Sequence, residues 1–104
     1  MLFDDYQKEA KATAIYPEQY KIVYPALGLA GETGEVCEKI KKTIRDGKDI
    51  DIQQLALELG DVLWYISAIA SDAGISLVTI AQNNIIKLKS RKERNVISGS
   101  GDNR

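Results

Sequence analysis

Almost every segment of this chain repeats its apolar residues at helical spacing, and no run of β-branched residues alternates with polar ones. That pattern leaves no strand to build a sheet from and predicts an all-α fold. A first helix is predicted from Leu2 to Ile15, stopping ahead of Pro17, whose ring cannot continue a helix. A second begins near Pro25, a residue suited to a first helical turn, and ends at Asp46–Gly47, where glycine supplies a left-handed stop. Asp51 is the expected N-cap of a third helix reaching Ala73, with Gly74 behind it, and Ser76 caps a fourth running to Lys92. At 104 residues the chain is sized for one core. Residues 1–97 are expected to form one domain, a four-helix bundle protomer, and 98–104, rich in Gly, Ser and Asp, a flexible C-terminal tail.

Projection at about 100° per residue sorts the faces of the middle helices. On the second, Leu29, Ala30, Val36, Cys37, Ile40 and Ile44 make an apolar arc, with Glu32 and Glu35 along its edge and Lys39 between them. On the third, Leu55, Val62, Ile66 and Ile69 lie to one side and Leu57, Trp64 and Ala68 to another. Glu58, Asp61 and Tyr65 fall in the strip between, and the remaining face carries only Ala56, Gly60, Ser67 and Ser71. A helix with so little need of water on any side is usually buried all round, which one small protomer cannot achieve. A homo-oligomer, dimer or tetramer, is therefore expected.

The absence of histidine narrows the chemistry. Without it there is no imidazole base, no His-activated nucleophile and no His-based zinc site, which leaves carboxylates, amines and phenols. A formal net charge of −1 supplies no basic field for nucleic acid, and no stretch approaches the length of a membrane span. The acidic start shows no leader pattern, so a cytoplasmic protein is expected, or its phage equivalent. The lone Cys37 cannot form an internal disulfide and is expected as a small buried hydrophobe.

Glu32-x-x-Glu35 and Glu58-x-x-Asp61 each put two acids on one helical face. Like charges at that spacing cost a helix roughly a few tenths of a kcal/mol, and acids beside a core cost more in desolvation unless a cation accompanies them. Two antiparallel helices could gather the four carboxylates into an oxygen-only site suited to Mg²⁺ or Mn²⁺ and not to zinc. A single E-x-x-E pair is more often solvated helix surface; two pairs, one of them in an apolar helix, favour the metal. On the fourth helix the stripe Leu77, Ile80, Ala81, Ile85, Leu88 carries Asn84 in its middle, with Lys87 and Arg91 along its edge. That trio suits a polyphosphate, although an Asn satisfied by backbone and a solvated basic helix end would read the same way. Gly28, Gly31 and Gly34 each cost about 1 kcal/mol relative to Ala inside a helix, and close approach by another backbone is the expected compensation.

Taken in order, Gly28-Leu29-Ala30-Gly31-Glu32-Thr33-Gly34-Glu35, Glu58-Leu59-Gly60-Asp61-Val62-Leu63-Trp64-Tyr65 and Asn84-Ile85-Ile86-Lys87-Leu88 closely resemble the MazG-type all-α NTP pyrophosphatases. The resemblance implies metal ligation by Glu32, Glu35, Glu58 and Asp61, which are thereby the catalytic acids, with Asn84 and Lys87 at the nucleotide phosphates. It implies hydrolysis of a nucleoside triphosphate to the monophosphate and pyrophosphate by water attack at the α-phosphorus. The first acid of the family signature is replaced here by Gly31, so no role attached to that acid carries over. The closing Gly99-Ser100-Gly101-Asp102-Asn103-Arg104 resembles a compact subgroup, with Arg91 and Arg104 as further phosphate candidates. A base could stack on Trp64 or on an aromatic of the first helix such as Tyr6, against the commoner role of Trp as core. The alternative reading is a non-catalytic helical oligomer that binds nucleotide or metal in a regulatory role.

Overall fold

A computed structural model describes the chain from Met1 to Arg104, all helical apart from its connections. The helices are α1 (Phe3–Ala12), α2 (Val23–Asp46), α3 (Ile52–Asp72) and α4 (Leu77–Glu93), with a single 3₁₀ turn at Glu18–Tyr20 before α2. Most boundaries sit where local chemistry sets them. Gly47 adopts φ +63 and ends α2, the Asp51 carboxylate accepts from Gln54 N–H to open α3, and Ser76 Oγ accepts from Thr79 N–H to open α4. α1 ends three residues earlier than its pattern suggested. Thr13 closes it and turns its hydroxyl to the Ala10 carbonyl at 2.7 Å, and the same oxygen accepts from Trp64 Nε1 at 2.8 Å.

The link from α1 to α2 is pinned by the far end of α3. Asp72 Oδ2 accepts from the Tyr16 hydroxyl at 2.7 Å and from Ile22 N–H at 2.9 Å. Ile22 holds φ +66 and ψ −52, and Val23 N–H donates to the Lys21 carbonyl at 2.7 Å. This is a γ-turn with a β-branched residue at its centre, a costly conformation sustained by the bonds on either side.

α2 and α3 form an antiparallel hairpin, and α1 packs on both α3 and α4. The expected four-helix bundle is not closed within one chain. α4 leaves α3 at 105°, because Gly74 (φ +73) turns the backbone there and Ile75 N–H returns to the Ala70 carbonyl at 2.8 Å. Gln7 of α1 then clamps the corner: its Nε2 donates to Ser71 Oγ at 3.1 Å and to the Ile75 carbonyl at 2.9 Å, and its Oε1 accepts from Leu77 N–H at 2.8 Å. The radius of gyration is 16.5 Å, against about 13 Å for a compact domain of this length. Only seven residues are buried, with Ala10, Ala68, Ala70 and Leu77 as the apolar core. Cys37, expected to be buried, is exposed, since the arc it belongs to is wider than the strip of α2 that α3 covers. No single helix is long and apolar enough to cross a membrane.

Candidate active site

Because α2 and α3 run antiparallel, the acidic strip of one faces that of the other. Carboxylate oxygens of Glu32, Glu58 and Asp61 lie within 4.8 Å of one another. Glu32 and Glu58 are half-buried and Asp61 is exposed, so the cluster opens to solvent on one side. Glu32, Asp61, Trp64 and Tyr65 line a cleft of about 370 Å³ there. The indole of Trp64 is fixed by its bond to Thr13 and stands edge-on to Tyr65, with centroids 5.0 Å apart and planes at 86°. Tyr65 lies so close over Gly28 that a Cβ at that position would enter its ring. The glycine thus admits a side chain instead of the expected backbone, while Gly31 and Gly34 meet nothing within 4 Å.

The electrostatics of the cleft are negative. Desolvation first, then Asp61, Glu58 and Glu35, raise the carboxyl of Glu32 above its usual range. Desolvation and then Asp61 raise the Tyr6 phenol, and desolvation followed by Tyr24, Glu32 and Asp61 raises that of Tyr65. One cation of the chain reaches the trio: Lys39 Nζ stands 3.5 Å from Glu58 Oε1. Glu32 and Asp61 have no such partner. Three crowded oxygen donors with one lysine, at Glu58 alone, fit a hard divalent cation, which would relieve the repulsion that Glu32 registers. Glu35 is exposed and outside the trio; three residues beyond Glu32, it has moved about 60° round α2 and most of a turn along it. The pairing of Lys39 with Glu58 was not predicted, although the position of Lys39 on the acidic edge of α2 was the signal for it.

The MazG nucleotide pyrophosphohydrolase domain matches residues 25–96, from the first turn of α2 to just beyond α4. The chain belongs to the MazG family. It is also similar to a protein of Mycobacterium phage L5 named Gene 37 protein, at 44% identity over 114 aligned residues that cover 100% of both chains. No solved structure matches the chain.

Within this MazG domain the α4 candidates lie apart from the acids. Asn84 and Lys87 line a separate groove of about 330 Å³ with Ile80 and Asn83, and none of them borders the carboxylate cleft. The 105° corner after α3 is the cause. Arg91 is 5% exposed, and its Nη2 donates to the Asp102 carbonyl at 2.7 Å. Residues 98–104, expected as a flexible tail, curl back over the C-terminal half of α4. Arg104 holds the curl by donating to the carbonyls of Val96, Ile97 and Gly101, and Asp102 Oδ1 lies 3.2 Å from Lys87 Nζ.

Proposed function

We propose that the protein is a Mg²⁺-dependent nucleoside triphosphate pyrophosphohydrolase acting on an NTP or dNTP in the cytoplasm. The observation that carries this reading is the convergence of Glu32, Glu58 and Asp61 beside an aromatic wall, in a chain of the MazG family. Those three acids, joined by Glu35, are the proposed ligands of Mg²⁺, with Mn²⁺ as the alternative. Such an ion supplies Lewis acidity toward the phosphoryl oxygens and makes water more acidic. In the reaction, water adds at the α-phosphorus and the α–β bridging oxygen leaves with pyrophosphate, giving the monophosphate. Trp64, held by Thr13, is the ring on which the base would stack. Asn84, Lys87 and Arg91 supply neutral and cationic donors for the phosphates.

A second copy of the chain completes the site in this proposal, since α4 of one protomer stands away from its own acids. The same assembly would cover apolar side chains such as Ile44, Leu57 and Ile86, which are 77%, 64% and 65% exposed in the protomer. A homo-oligomer, dimer or tetramer, is what such a surface needs. Two experiments test this. Glu35→Gln and Asp61→Asn should each abolish turnover with helicity unchanged, and a wild-type rate in either counts against its place among the ligands. Sedimentation at micromolar concentration should show an oligomer, and mixed Asp61→Asn and Lys87→Ala protomers should regain activity. A monomer, or a mixture as inactive as its parts, contradicts the shared site.

A further inference from the structure

We infer that the C-terminal curl is a displaceable internal ligand, in which the Asp102 carboxylate occupies the phosphate position between Lys87 and Arg91 and competes with substrate for it. The inference rests on the phosphate role proposed above for these two cations. Asp102 Oδ1 bridges them, 3.2 Å from Lys87 Nζ and 3.4 Å from Arg91 Nη2, as a single phosphate oxygen can bridge two cations. The two cations in turn hold the Asp102 carboxyl below its usual range, Lys87 being the larger influence.

Arg91 is under-used in this arrangement. Its guanidinium has five donors; Nη2 serves the carbonyl and carboxylate of Asp102, while Nε is buried without an acceptor. A buried arginine that holds an exchangeable anion through one nitrogen and keeps donors in reserve is better matched by the several oxygens of a polyphosphate than by one carboxylate. The anion now present is easily lost, because the Asp102 side chain is 84% exposed and its pair with Lys87, exposed on both sides, binds weakly. The remainder of the curl is built to form without Asp102. Gly99 and Gly101 take φ +133 and +87, which only glycine adopts freely, and Arg104 and Arg94 close the loop, Arg94 donating to the Arg104 carbonyl at 2.8 Å.

The test is calorimetric titration of the full-length protein with inorganic tripolyphosphate in the absence of metal, at about 0.15 M salt so that distant charges are screened. Asp102→Asn keeps the backbone carbonyl that Arg91 uses and should tighten Kd about two- to fivefold, the range set by one exposed ion pair. Asp102→Glu should return Kd toward wild type. Glu93→Gln, which removes one charge from α4 without touching Lys87 or Arg91, should leave Kd within about 1.5-fold. Lys87→Ala should weaken binding. Unchanged or weaker binding by Asp102→Asn, or equal tightening by Glu93→Gln, overturns the inference while leaving the phosphate role intact. Binding indifferent to Lys87→Ala overturns the phosphate role, and the inference with it.

Discussion

Gln7 sets the direction of α4, so its removal is the sharpest test of the fold. The side chain makes three hydrogen bonds across the corner between α3 and α4, at 3.1, 2.9 and 2.8 Å. A net contribution of about 1 kcal/mol each, reduced by about 0.4 kcal/mol for the better helix propensity of Ala in α1, gives an expected loss of about 2–3 kcal/mol for Gln7→Ala. The Leu77 N–H is the group most affected, since it opens a helix at a buried residue and Gln7 is its only partner. Gln7→Glu retains the acceptor for Leu77 and loses the donor that serves Ser71 and Ile75, two of the three bonds, so it should cost about 2 kcal/mol. Urea denaturation at one fixed protein concentration reads both, because any linkage to the proposed assembly would shift the midpoint with concentration. A loss below about 0.5 kcal/mol for Gln7→Ala would refute the clamp.

Five other substitutions have effects that the structure sets. Gly28→Ala should destabilise by up to about 2 kcal/mol, overpacking against Tyr65 outweighing the helix gain, whereas Gly31→Ala and Gly34→Ala should stabilise the protomer by up to about 1 kcal/mol; urea midpoints in the same order for all three would contradict this. Desolvation, and then the bond to Asp72, hold the Tyr16 phenol at about 12. The folded state therefore keeps that proton more tightly, and the associated stability is complete below about pH 10 and lost as pH rises through 12. After allowance for solvent screening, Tyr16→Phe should cost about 1 kcal/mol near pH 8 and flatten the alkaline decline, and parallel pH profiles for the two proteins would argue otherwise. Ser67 is fully buried with an unpartnered hydroxyl, so Ser67→Ala should stabilise by about 1 kcal/mol in thermal melts.

Local chemistry made most of the fold legible in the sequence. Gly47, Asp51, Gly74 and Ser76 mark helix ends through backbone conformation and side-chain capping, which need no partner from elsewhere in the chain. The antiparallel α2–α3 pair follows from its short connection, and with it the meeting of Glu32, Glu58 and Asp61. What depended on distant contacts was not legible. The Thr13 hydroxyl at the early end of α1 is also held by Trp64, 51 residues away. The open corner at α4 is held by Gln7, about seventy residues earlier. The exposure of Cys37 and the position of Glu35 outside the trio depend on how wide a strip of α2 its neighbour covers, which periodicity does not set. The C-terminal curl has its signal in Gly99, Gly101 and Arg104, but composition alone pointed to a flexible tail.

The most direct test of the central claim is pyrophosphate release from the eight canonical ribo- and deoxynucleoside triphosphates, with Mg²⁺ and with EDTA, followed by analysis of the nucleotide product. Metal-dependent release from at least one of them, leaving the monophosphate, is expected, with no release in EDTA. Nucleotide binding without pyrophosphate release, or release of orthophosphate leaving a diphosphate, would contradict it.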